Sequence, residues 1–435
     1  MIISELYSLF CKHPIISIDS RNCPKESIFF ALKGDNFNAN AFAASALQNG
    51  AAYAVIDEEE YALSDKYILV DDALTCLQDL ARYHRDTLGT TVIGITGTNG
   101  KTTTKELIAA VLSQKFNIHF TKGNLNNHIG VPLTLLQLTS EHELAVIEMG
   151  ANHQGEIKML TEIAHPDFGI ITNVGKAHLE GFGSFEGVMK TKAELYDYIL
   201  ANGKSIFINN DNGFLKEMAS KAGFQNSERL ISYSLNNHSN YVNGSIISCS
   251  PFLELNCKLK TENSIDIKSN LIGAYNAENV LAAATIGFYF GLSAEMIKTG
   301  IEKYIPQNNR SQLTVTELNK LVVDAYNANP TSMKAAVMNF AQMQVTNKML
   351  ILGDMLELGE QSADEHQSIV NLLTENELKN VILVGKQFSM TQNNFECFNV
   401  VDELINYLSD KKIADYYILI KGSRGIKLEK VITYL

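Results

Sequence analysis

Short apolar runs separated by stretches of helical period recur along most of the chain. Ser27-Ile-Phe-Phe-Ala-Leu-Lys and Ala51-Ala-Tyr-Ala-Val-Ile read as buried strands on either side of a helix over 41–49. Apolar spacing over 73–87 predicts a helix leading onward. Thr91-Val-Ile-Gly-Ile-Thr, Ala145–Glu148, Gly169–Thr172 and Ser205–Ile208 are further strand-like runs, with helical stretches such as 101–114 between them. That alternation predicts βαβ units and a mostly parallel sheet. The pattern changes over 229–272, where Ser245-Ile-Ile-Ser-Cys and Phe252-Leu-Glu-Leu-Asn-Cys-Lys-Leu predict antiparallel strands appended to that sheet; 277–290 returns to a buried helix. Leu321-Val-Val-Asp, Met349-Leu-Ile-Leu-Gly, Val381-Ile-Leu-Val-Gly and Tyr417-Ile-Leu-Ile-Lys-Gly form a last group of four strands with helical intervals. The expectation is α/β throughout, in three domains. These are a small α/β domain over 1–85, a central P-loop parallel-sheet domain with appended antiparallel strands over 86–307, and a Rossmann-like doubly wound domain over 308–435.

Composition narrows the class of partner. The 435 residues are 46% hydrophobic and 19% charged, enough to build large cores without disulfide or metal staples. The six cysteines have no CxxC spacing, so reduced core thiols are expected. A formal charge of -12 argues against a nucleic-acid-binding face, but a few local cations and a helix N-terminus can still hold a small anion. The N-terminus lacks the basic start and apolar run of a secretory leader, and no uncharged apolar stretch approaches the ~20 residues that span a bilayer. A cytoplasmic chain without a membrane partner is expected.

The sharpest chemical signal is Gly94-Ile-Thr-Gly-Thr-Asn-Gly-Lys-Thr-Thr-Thr, between a predicted strand and a predicted helix. Gly97 and Gly100 let the backbone turn its N–H groups inward around Thr98 and Asn99. Lys101 can reach the β- and γ-phosphates, and Thr102, followed by Thr103, can offer a hydroxyl to Mg²⁺. The usual first glycine of a P-loop falls on Ile95, so only the shorter Thr-Gly-Thr-Asn-Gly-Lys-Thr stands. Taken alone, these residues also suit a nucleotide switch that couples hydrolysis to a protein partner.

Gly97-Thr-Asn-Gly-Lys-Thr resembles the ATP loop of the Mur ligase and folylpolyglutamate synthase superfamily, which joins a carboxylate to an amine. Later blocks carry the resemblance through most of the chain. They are Thr121-Lys-Gly-Asn-Leu-Asn-Asn-His-Ile-Gly-Val-Pro-Leu-Thr-Leu-Leu, Glu148-Met-Gly-Ala-Asn, Asn173-Val-Gly-Lys-Ala-His-Leu-Glu-Gly, Asp324-Ala-Tyr-Asn-Ala-Asn-Pro and Leu352-Gly-Asp-Met-Leu-Glu-Leu-Gly. In this form they resemble the branch that adds D-Ala-D-Ala to UDP-MurNAc-tripeptide. The other branches of the superfamily, which add glutamate or diaminopimelate, remain the rival within the family.

The resemblance implies site roles and partners. Glu148 and His178 would join Thr102 around Mg²⁺, of which two ions are expected. Lys192 would be carbamylated and stand near the metals; only the family pattern picks it over Lys190. Asn276 and Asn279 would meet the adenine, Arg310 the phosphates and Asp324 the ribose, with Asn327 and Asn329 in the same block. Ser20 and Arg21 would serve the uridine diphosphate, although Asn38-Ala-Asn stands where the family has Asp-Gly-His. Thr121, Asn124, Asn126 and Asn127 would meet the muramoyl-peptide. His366, Lys421, Ser423 and Arg424 would help place D-Ala-D-Ala. A monomer is expected. The chemistry is demanding, because like charges ~4 Å apart repel by roughly 4 kcal/mol at an effective dielectric of 20. A carboxylate therefore cannot approach a γ-phosphate without cations between them.

Overall fold

Three main sheets carry the chain in a computed structural model that describes residues 2–34, 36–236, 239–260, 264–307 and 309–435. The expected boundary before residue 308 falls on Asn308, which lies outside the described residues. The first sheet is all parallel, in the order Ile16–Ser17, Ile28–Phe30, Tyr53–Ile56 and Tyr67–Leu69. The helix after it, α1 (Ala73–Leu88), starts on Asp72, whose carboxylate accepts the Thr75 N–H at 2.6 Å. It ends at Gly89, which has the left-handed φ of 67° that lets the chain turn into the next strand.

The second sheet has nine strands. From Leu230–Ser234 the parallel order runs through Ser205–Asn209, Phe168–Ile171, Thr91–Thr96 and Leu144–Glu148 to Ile118–Phe120. Val242–Cys249 also joins in parallel, and Phe252–Leu259 and Ile265–Ile272 then pair antiparallel, as the alternating sequence over 229–272 predicts. Helix α2 (Lys101–Leu112) leaves the strand Thr91–Thr96 and packs against α3 (Ala277–Tyr289), whose nearly all-buried face explains its apolar run. The third sheet has six strands. Besides the four expected, Gln312–Val315 and Glu396–Phe398 form its edges. Both edge runs are short and only half buried, so they lack the continuous apolar signature of the central strands.

Topology places the chemistry. Thr96, Glu148 and Ile171 end strands of the central sheet, and Asp324 and Lys421 end strands of the third. Parallel strands deliver their functional residues at the carboxyl edge. Here two such edges face each other across one space.

Candidate functional site

That space is a cavity of about 650 Å³. The phosphate loop from Thr98 to Thr103 forms one wall, with Asn124, Asn126, Asn127, Glu148, His178, Asn276 and Asn279. Arg310, Asp324, Asn329 and Lys421 come from the opposite side. Residues singled out from sequence on both sheets thus meet in one place.

The loop's glycines are required by contact as well as by φ. Gly97 has φ 142°, and a Cβ there would lie 2.0 Å from the Thr172 hydroxyl; Gly100 has φ 77°, and a Cβ there would lie 2.7 Å from Asn279 Oδ1. Neighbouring strand ends hold the loop in shape. The Asn99 N–H donates to Asn173 Oδ1 at 2.9 Å, and the Asn99 carbonyl accepts from Thr172 Oγ1 at 2.6 Å and Asn173 Nδ2 at 3.1 Å. Lys101 folds back, its Nζ donating to the carbonyls of Gly97 at 2.8 Å and Thr98 at 3.1 Å. Burial pushes its pKa down, against the pull of the Glu148 carboxylate.

Glu148 is the floor of the cavity and is almost wholly buried. Its Oε1 accepts from Thr102 Oγ1 at 3.2 Å and Asn126 Nδ2 at 2.9 Å, while its N–H donates to Thr121 Oγ1 at 2.9 Å. Behind it, the buried Lys105 ammonium lies 3.5 Å from Oε2. Thr121, expected at the muramoyl-peptide, is fully buried and shapes Glu148 instead. Asn126 spends an N–H on the same carboxylate, and Asn127 Oδ1 accepts the Gly130 N–H at 2.8 Å, at the start of the helix Gly130–Leu135. Of the four residues expected there, Asn124 lines the cavity without a side-chain bond of this kind.

The adenine-side amides are also partly spent. Asn276 Nδ2 donates to the Ile272 carbonyl and Asn279 Nδ2 to Asn276 Oδ1, both at 2.8 Å. Asn279 Oδ1 accepts from Thr104 at 2.9 Å, so this pair braces the phosphate helix. Arg310 stacks its guanidinium 3.7 Å from the ring centroid of Tyr326, a residue with no role assigned from sequence. Asp324 already holds the Lys421 ammonium at 2.6 Å, and that ammonium also reaches the Asn327 carbonyl at 3.2 Å. Lys421 thus lines the cavity with its ammonium shared between the Asp324 carboxylate and the Asn327 carbonyl.

Among the contacts that join the central and third sheets, two involve residues lining the cavity. Asn99 and Asn329 exchange side-chain hydrogen bonds at 2.7 and 3.4 Å, and His178 Nδ1 pairs with Glu357. Burial lowers the pKa of His178, which favours the neutral imidazole a metal would need. Lys192 lies just outside the lining, only 2% exposed, with its Nζ 5.3 Å from the Phe182 ring centroid. Burial drives its pKa to about 7, aided by repulsion from Lys101.

Five further expected residues, Ser20, Arg21, His366, Ser423 and Arg424, lie outside this lining. Arg21 is 87% exposed on the first domain and paired with Asp19 at 2.7 Å, and Ser20 beside it offers its carbonyl to Asn49. Neither lines the cavity. Asn40, in the departed Asn38-Ala-Asn block, is buried and bonded to Asp57 at 2.7 Å. His366 is also fully buried: its Nε2 accepts the Met355 N–H at 3.0 Å and its Nδ1 donates to the Ser362 carbonyl at 2.6 Å. With both ring nitrogens occupied it cannot touch a substrate and serves as a strut, and Ser423 is likewise buried. Asn173, Tyr326, Lys105 and Glu357 were missed; the first, second and fourth stand inside the quoted blocks, but only tertiary contact reveals what they grip.

No group of three or more His, Cys, Asp or Glu side chains that could hold a metal occurs among the described residues. Mg²⁺ is commonly held by one or two protein groups with phosphate oxygens and water supplying the rest. Thr102 and Glu148, already hydrogen-bonded to each other beside the loop, fit that mode.

A phosphate loop and a buried carboxylate on one sheet, closed by the strand ends of another, make a nucleotide-using enzyme whose two lobes meet over the substrates. Comparison with known proteins gives the family. Residues 95–287 match the Mur ligase middle domain and residues 309–424 the Mur ligase glutamate ligase domain. The chain is 34% identical to UDP-N-acetylmuramoyl-tripeptide–D-alanyl-D-alanine ligase of Bacillus subtilis, covering 96% of this chain and 92% of the relative. It is 35% identical to the enzyme of that name from Escherichia coli, covering 97% and 93%. The crystal structure of MurF from Acinetobacter baumannii superposes with a TM-score of 0.86 at 31% identity, over 96% of this chain and 92% of that one. The chain belongs to the Mur ligase family. Among the described residues no helix is long and apolar enough to cross a membrane.

Proposed function

We propose that this chain joins D-Ala-D-Ala to UDP-MurNAc-tripeptide at the expense of ATP, as the printed names of its full-length relatives describe for those proteins. The observation that carries the reading is the convergence of Lys101, Thr102 and Glu148 with Arg310 and Asp324 of the facing sheet in one cavity. The tripeptide's terminal carboxylate attacks the γ-phosphate of ATP. An acyl phosphate forms and ADP leaves. The dipeptide amine then attacks the acyl carbon and inorganic phosphate departs.

Lys101 releases its loop carbonyls to reach the phosphates, and Arg310 approaches from the other lobe. Thr102 and Glu148 would hold Mg²⁺, with His178 close by, and the ion would supply charge neutralisation for the transferring group. Lys192, with a pKa near 7, keeps an appreciable neutral fraction at physiological pH. A neutral amine is what CO₂ addition requires, giving a carbamate and releasing one proton. The carbamate would turn a cation into an anion near the metal.

A phosphate-release assay tests the reading. Phosphate and ADP should appear only with ATP, Mg²⁺, UDP-MurNAc-tripeptide and D-Ala-D-Ala together. Turnover with D-glutamate in place of the dipeptide would assign a different branch of the family.

A further inference from the structure

The first two turns of α2 carry two lysines, Lys101 and Lys105, one turn apart. A helix N-terminus is already positive, so neither gains from its dipole. Lys101 lines the cavity and bonds its own loop. Lys105 lies outside the lining and is fully buried, and its Nζ has no hydrogen-bond partner among the described residues. An enclosed ammonium is costly unless a counter-charge offsets it. Few groups stand near it. Glu148 Oε2 is 3.5 Å away, Glu106 Oε1 4.0 Å and the Phe120 ring centroid 5.9 Å. Glu106 is already engaged, its Oε2 accepting the Tyr304 hydroxyl at 2.6 Å. Lys105 therefore answers to Glu148.

The two oxygens of that carboxylate have different surroundings. Oε1 accepts from Thr102 and Asn126, both of which line the cavity. Oε2 is buried, has no hydrogen-bond partner among the described residues, and has the Lys105 ammonium beside it. The backbone is fixed as well, because the Glu148 N–H donates to the buried Thr121 hydroxyl. Turning the carboxylate about its last bond would take Oε2 from its counter-charge and Oε1 from two donors. It therefore presents one oxygen to the cavity and keeps the other back.

That asymmetry bears on which ion the site accepts. Mg²⁺ is small, keeps several waters and needs only one or two protein oxygens. Ca²⁺ is larger, takes six to eight oxygens in flexible geometry, and readily uses both oxygens of one carboxylate. We propose that Lys105 is a positioning residue that withholds Glu148 Oε2 from the cavity and so makes the nucleotide site prefer Mg²⁺ to Ca²⁺; this rests on the Mg²⁺ role proposed above. Lys105 touches no ligand itself and acts through Glu148. Partners that orient a metal-holding side chain from behind commonly change metal affinity by about 10- to 100-fold when removed.

The test reads nucleotide binding rather than turnover. Calorimetry measures the Kd of ADP for the full chain with no divalent ion, with Mg²⁺ and with Ca²⁺. In the wild type, Mg²⁺ should tighten ADP binding about tenfold more than Ca²⁺ does. Lys105→Met keeps an unbranched apolar stem without the charge, and should narrow that gap to about threefold or less. The gap is a ratio within one variant, so a general loss of ADP affinity cancels from it. Lys105→Arg keeps a cation and should keep most of the gap. Lys105→Gln, polar but uncharged, should narrow it too and serves if the methionine variant does not fold. An unchanged gap in K105M or K105Q, a gap lost in K105R, or a wild type that uses Ca²⁺ as well as Mg²⁺ would each overturn the assignment. A wild type whose ADP affinity responds to neither ion would refute the Mg²⁺ role itself, a different failure.

Discussion

The main cavity and the first domain handle polar side chains in opposite ways. Around the phosphate loop most polar groups are buried or half-buried and bonded to their neighbours: Lys101 to its own loop, Glu148 to Thr102 and Asn126, Asn99 to Asn329. On the first domain, Arg21 stands in solvent beside Asp19, and Lys33 reaches Asp57 and Glu58 at 2.9 Å across a half-open surface. A preorganised region pays its ordering cost during folding, so its residues act together and fail together. An exposed pair is screened and contributes singly.

The largest expected break comes from Lys101→Ala, which should cut phosphate release by about 10³-fold or more, because among the described residues no other ammonium bonds within the loop. Lys192→Ala comes next, at about 10²-fold, with partial rescue by small carboxylic acids. Wild-type activity should also fall as pH drops below about 7, where Lys192 protonates, and added bicarbonate should oppose the fall. The same shift bears on stability. The folded pKa of about 7 lies below the ordinary lysine value of 10.5, so the unfolded chain binds more protons between them. Stability from this group therefore rises with pH from about 7 to 10.5, and Lys192→Met should flatten that rise in thermal melts.

Asn329→Ser sharpens the contrast at smaller scale. Serine keeps the cap on the helix Pro330–Gln342 but loses the exchange with Asn99. The ATP KM should rise about tenfold while Tm stays near the wild-type value. Arg21→Ala should be the mildest, with Tm and the ATP KM unchanged and any effect confined to a few-fold rise in the KM for UDP-MurNAc-tripeptide. A change in the ATP KM would show that the first domain is coupled to the loop.

What could be seen in the sequence follows the same division. The phosphate loop was legible because its glycines answer to local backbone geometry, and the central strands because their apolar runs are continuous. Thr121 and His366 could be found but not understood: a buried threonine bonded to Glu148 and a surface threonine facing a sugar look alike in one dimension. Glu357 escaped because its importance lies in meeting His178, 179 residues earlier in the chain. The edge strands Gln312–Val315 and Glu396–Phe398 escaped because half-buried edges have no periodic signature.

The lysine behind Glu148 has one more implication. With Lys105 enclosed 3.5 Å from the rear oxygen, the pair is close to electrically even before any guest arrives. A triphosphate entering the cleft meets a carboxylate whose field is already cancelled from within, so the acid that later helps grip the metal need not turn the nucleotide away at the door.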